Sequence, residues 1–164
     1  MARLIPNENT EVYFVPTIAD DDLEPTQEEI DDGVRLTDFL ITLDGSSTGN
    51  TVPTPTFASL FETSISGTVT ATFTAEFYRD DEDDLAWDTL PRATDGYIVV
   101  ARFGFTPEEG PPAYPASVGD ECEVWPVRLT ARSAMALTNN EVQRFGIEAA
   151  IPEEPNEAAS VLAA

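Results

Sequence analysis

The chain has 164 residues, with 31 acidic and 8 basic side chains, a formal charge of −23, and neither histidine nor lysine. The commonest general base, the commonest metal ligand and the Schiff-base nucleophile are therefore missing, which excludes Ser-His-Asp, Cys-His and lysine-based chemistry. So acidic a surface gains nothing from counterion release and repels nucleic acid and anionic membranes, which excludes affinity for either through charge.

Thirteen prolines and nine glycines imply many turns and few long helices. The size suits one domain, 1–164, of mainly β structure: an antiparallel β-sandwich or partial barrel with a short flanking helix. Residues 1–9 read as an N-terminal arm without the apolar region of a secretory signal. Thr10 to Val15 reads as a first short strand. Thr26-Gln27-Glu28-Glu29 has capping-box spacing, which predicts a short helix through about Asp32 that ends at Gly33. Leu36 to Leu43 reads as the second strand and Asp44-Gly45 as its turn. Residues 45–60 (GSSTGNTVPTPTFASL) lack sustained periodicity and read as a long contact loop between the second and third strands.

The third strand is the strongest signal in the chain. From Ile65 to Arg79 (ISGTVTATFTAEFYR), Ile65, Gly67, Val69, Ala71, Phe73, Ala75 and Phe77 share one face. Ser66, Thr68, Thr70, Thr72, Thr74, Glu76 and Tyr78 share the other. Side chains alternate along a strand, so one face is packed and the other wet. At this length it projects beyond a compact sandwich.

Asp80 then reads as the cap of a short helix through Trp87, with Asp80-Asp81-Glu82-Asp83-Asp84 at its start. Tyr97 to Phe105 reads as a strand, too short to cross a membrane, and no membrane insertion is expected. A proline-rich loop follows, then a strand from Glu121 to Arg132. Pro126 inside it marks an edge or bulge, because proline cannot donate to a ladder. Glu141 to Ile151 reads as the last strand and 152–164 as an extended C-terminal arm. Cys122, the lone cysteine, reads as a buried thiol.

Carboxylates remain as candidate chemistry. A glycosidase needs two at a set separation in a cleft, and clustered acids on turns more often form solvated surface. Asp20-Asp21-Asp22 and Asp80 to Asp84 lack the spacing of an EF-hand loop. No enzyme, cofactor or dedicated metal site is expected.

Taken in order, these pieces resemble the major tail tube proteins of long, non-contractile-tailed bacteriophages, particularly those infecting actinobacteria. The resemblance rests on PTQEEIDDGVRLTDFL with ITLDGSS, on GTVTATFTAEFYRDDEDDLAWDTL, on GYIVVARFG, and on EVWPVRLTARSAMALTNNEVQRFGIEAAIPEEPNEAA. It implies a β-sandwich with a flanking helix, rings of six copies, and stacking of rings into a hollow tube for DNA ejection. It implies assembly in a bacterial cytoplasm, placement in the virion tail, and tape measure, tail terminator and tail tip proteins as partners. DNA would pass transiently without specific binding. Under that reading Ser66, Thr68, Thr70, Thr72 and Thr74 face the lumen, and Thr51, Val52, Phe57 and Leu60 contact the next ring. Arg128, Arg132 and Arg144 would meet acids such as Asp81 and Asp83 of a neighbour, or else pair inside their own subunit. The alternative is a monomeric β-sandwich that binds glycans or decorates a virion, with Trp87, Trp125 and Tyr114 as stacking platforms.

Overall fold

The computed structural model describes residues 10–56, 61, 63–105 and 116–164. Eight strands alternate with two short helices: β1 (Glu11–Val15), α1 (Gln27–Asp31), β2 (Val34–Arg35), β3 (Leu40–Pro53), β4 (Ser64–Tyr78), α2 (Leu85–Thr89), β5 (Asp95–Ala101), β6 (Glu121–Ala134), β7 (Arg144–Ala150) and β8 (Asn156–Ser160). All strand pairings are antiparallel, in the order β2-β1-β5-β6-β7-β4-β3, with β8 also on β6.

This single sheet curls on itself. Val12 and Phe14 of β1 join the same buried cluster as Phe73 and Phe77 of β4, although several strands separate them in the sheet. Trp125 of β6, 1% exposed, lies at the centre of the curl. A Cβ on Gly45 would sit 2.9 Å from its indole, so β3 reaches the core only because residue 45 has no side chain. Asp44-Gly45 is therefore no turn. β3 continues through it to Pro53, and nine residues of the expected contact loop are strand. The register explains why: Asp44, Ser46 and Thr48 lie opposite Thr74, Thr72 and Thr70 of β4. A polar alternation paired with another polar alternation makes a ladder without an apolar signature.

The other face of β1, β5 and the first half of β6 is also covered. Tyr13, Val15, Val99, Cys122 and Val124 pack with Ile30 of α1 and with Ile18, Leu23, Ala159 and Val161. The capping box of α1 forms as expected: Glu29 N–H donates to Thr26 Oγ1 (3.2 Å) and Thr26 N–H to Glu29 Oε2 (2.8 Å). Gly33 follows the helix for a reason of space, since a Cβ there would lie 2.9 Å from the Phe14 carbonyl oxygen.

The tail is not a free arm. Arg128 of β6 pairs with Asp95 of β5 on one side and Ala150 of β7 on the other. After a detour through 151–155, β8 rejoins β6 on the β7 side, with Cys122 opposite Ala159. Val161 is buried, and Leu162 exchanges backbone bonds with Gln27 and Pro25. The N-terminal arm lies outside the described residues.

One charge is buried in this frame. Glu11, 2% exposed, accepts from Arg35 Nε (2.7 Å) and Nη2 (2.9 Å) and from Thr37 Oγ1 (2.9 Å). Those bonds raise the Arg35 pKa above its usual value. Removing one partner strands the other in a poorly hydrated site. Arg35→Met should cost about 2–3 kcal/mol in urea denaturation, and Glu11→Gln with Arg35→Met should recover part of that loss.

Candidate functional site: a hydroxyl-lined face and a projecting ribbon

The sheet divides into a half covered on both faces and a half covered on one. In the second half, β4 buries Phe73, Ala75 and Phe77, whereas Ser66, Thr68, Thr70, Thr72 and Thr74 are all exposed. The ladders extend this wet face across four strands. β3 contributes Thr42, Asp44, Ser46 and Thr48; β7 contributes Gly146, Glu148 and Ala150; β6 contributes Ala131 and Ser133. Neighbouring hydroxyls bond one another, Ser46 Oγ lying 3.3 Å from Thr72 Oγ1. Charge on the interior of the face is all carboxylate, from Asp44, Glu76 and Glu148, while Arg128 and Arg144 stand at its borders. The β3 and β7 members were missing from the sequence reading. The signal that could have found them is the alternation Thr42, Asp44, Ser46, Thr48.

Beyond Thr72 the strand β4 has no partner except β3, because the ladder to β7 stops there. The two strands continue as a ribbon whose inward-facing side has run out of core. Ile65 and Val69 are 59% and 58% exposed, and Val52 is 49% exposed. Of the four expected contact residues, Thr51 and Val52 lie on this ribbon, opposite Ser66 and Ile65; Phe57 and Leu60 lie outside the described residues.

The expected charge partners separate into different roles. Arg132 is not presented to a neighbour. Its guanidinium stacks on Trp87 at 3.6 Å from the ring centroid, and Nη1 donates to the Trp87 carbonyl at 2.7 Å. Arg79 covers the indole too, at 3.9 Å, and pairs with Asp84. The reason is position: Arg132 lies opposite Ile147, on the core side of β6, where α2 ends and its carbonyls need a donor. Arg128 lies 3.7 Å from Asp95 in a well-exposed pair, and Arg144 is exposed beside Tyr78. Asp81 and Asp83 are exposed, next to a turn in which Asp80 accepts from the Glu82 and Asp83 N–H groups, lowering the Asp80 pKa. Asp80 does not cap α2, which begins at Leu85 after Asp84.

The glycan-platform alternative loses its aromatics. Trp125 is buried, Trp87 has a guanidinium against it on each of two sides, and Tyr114 lies outside the described residues. Burial pushes the Cys122 thiol up to about 12, so it is held as an inert thiol. Among the described residues no helix is long and apolar enough to cross a membrane, and no group of acids and cysteine is arranged to hold a metal.

A family model for phage tail tube proteins matches residues 1–164. The chain belongs to the phage tail tube protein family. It is a structural protein of the phage tail, not an enzyme. One similar solved structure is a chain of the tail of an empty GTA particle, refined with C6 symmetry. The TM-score is 0.52 and the identity 11%, over 91% of this chain and 95% of that one. Another is a chain of the six-fold symmetrised baseplate of the anti-feeding prophage, with TM-score 0.52 and 10% identity, over 94% and 95%. No curated protein matches in sequence.

With Arg132 engaged inside its own subunit, Arg132→Glu should destabilise the isolated chain. Loss of the cation–π contact and of the donor at the end of α2, with reversal of charge there, should cost roughly 2 kcal/mol. Thermal melting of the monomer, followed by near-UV signal from Trp87, reads this directly.

Proposed function

We propose that this tail tube protein polymerises as stacked hexameric rings whose hydroxyl-lined sheet face surrounds the DNA channel. The observation that carries the reading is the pairing of a continuous, one-sided polar face with open strand edges beside it. The edge of β1 is occupied: Val12 N–H donates to Thr37 Oγ1 and its carbonyl accepts from Leu36. Among the described residues, the outer edge of β3 and the edge of β4 over 64–71 have no such cover. Such edges invite pairing with another chain, and a ring closes them. Six-fold symmetry in the two similar assemblies supports the copy number.

In this arrangement Ser66, Thr68, Thr70, Thr72 and Thr74 line the lumen, with Asp44, Glu76 and Glu148 among them. Hydroxyls exchange hydrogen bonds with water at little cost, and carboxylates repel phosphate, so DNA passes without attachment points. Thr51 and Val52 of the ribbon, together with Phe57 and Leu60, belong to the contact with the adjoining ring. Tape measure, terminator and tip proteins are the further partners, and a non-contractile tail of an actinobacterial phage is the source that the sequence resemblance favours. The residual contribution of Arg128, Arg144, Asp81 and Asp83 is to lateral contacts between subunits.

Negative-stain electron microscopy of the purified protein across a concentration and salt series tests this. Six-fold rings or hollow tubes are expected; monomers that persist at high concentration and high salt would count against it. Thr70→Lys with Thr72→Lys should leave the tubes intact and add DNA retention that weakens steeply with salt, measured by filter binding on assembled tubes.

A further inference from the structure

The strand β4 joins two surfaces that are unusual in this chain. Fifteen residues of strand span about 50 Å, so its ends stand far apart. At the Ser64 end lies the ribbon, with Val52, Ile65 and Val69 exposed. At the Tyr78 end lies the connection between β6 and β7, residues 135–143. There Leu137 is 80% exposed, Val142 63% and Tyr78 42%. Tyr78, Glu141, Val142 and Arg144 enclose a surface groove of about 260 Å³.

The ribbon is almost free of charge, since residues 45–66 contain one charged side chain, Glu62, in a chain whose net charge is −23. The groove carries one charge of each sign, Glu141 and Arg144, and the acidic run Asp80 to Asp84 begins just beyond Tyr78. Apolar side chains exposed at an end of a strongly acidic molecule mark a contact, because burial there gains area without bringing carboxylates together. An apolar site at each of two opposite ends, with different residues at each, is the geometry of a head-to-tail contact, which propagates without closing.

We propose that the β3–β4 ribbon of one copy seats in the Tyr78–Val142 groove of the next copy along the tube axis, with Leu137 as the flanking apolar contact. This rests on the stacked-ring reading above and names the receiving surface, which that reading leaves open. Arg144 and Glu141 balance one another at the groove, and an uncharged ribbon approaches it without adding a carboxylate to the Asp80 to Asp84 run nearby.

The test uses the full chain with Leu137→Asp and Val142→Asp together. Both side chains are largely exposed in the single subunit, so circular dichroism of the variant, at concentrations below assembly, should match the parent. Electron microscopy should then show rings that do not stack, or tubes only at a concentration at least about tenfold higher. Val142→Leu alone, which keeps the groove apolar, should stack as the parent does. A second measurement places Val52→Cys and Val142→Cys in a Cys122→Ser chain. Oxidation of assembled protein should give a ladder of disulfide-linked subunits on a denaturing gel. Tubes of normal length from the double aspartate variant, or assembled tubes that give no ladder, would overturn the proposal while leaving the rings in place. Absence of rings from the parent chain would overturn the hexamer reading, and this contact with it.

Discussion

The curl of the sheet rests on Trp125. Its indole lies where Gly45 has no side chain and meets the Phe73 ring at 5.9 Å between centroids, so the neighbouring strands β3 and β4 both close onto a ring carried by β6, on the far side of β7. Aromatic pairs of this kind contribute about 0.5–1.5 kcal/mol beyond the area they bury. The larger consequence is geometric. Holding β3 down onto β6 turns the Phe73/Phe77 side of β4 inward, and alternation then obliges every hydroxyl on that strand to face out. The functional face is the reverse side of the core.

The same alternation explains why the ribbon exists. The inward side of β4 is filled by core as far as Phe73; beyond it, Val69 and Ile65 keep the apolar period with nothing beneath them. A two-stranded ribbon with both faces and both edges exposed has little stability of its own in water. Among the described residues nothing covers it, and charge along it is scarce.

Much of this was legible in the residues. The period of β4, the capping box at Thr26 and the strand character of β1, β5 and β6 follow from spacing alone. The extension of β3 through Gly45 did not, because a run of Gly, Ser and Thr looks the same in a loop as in a strand whose partner is itself polar. The reading of Gly45 as a turn glycine failed for a related cause. It sits inside a strand, where a Cβ would strike Trp125, and such a tertiary demand leaves no local mark. The spacing of Arg132 left open whether it pairs within its own subunit or with a neighbour, because its inward direction beneath α2 depends on tertiary packing. The C-terminal strand was hidden by Pro152 and Pro155, which mark only the detour and not the return to β6.

That return gives the end of the chain a fixed address. Val161 and Leu162 are tied to Asp120, Pro25 and Gln27 by backbone bonds, over the half of the sheet that is covered on both faces rather than over the hydroxyl-lined half. A passenger fused after Ala164 would therefore start from an anchored point rather than from a loose tether. Its spacing along an assembled tube would be set by the subunit repeat, which makes the tail a regular scaffold for display.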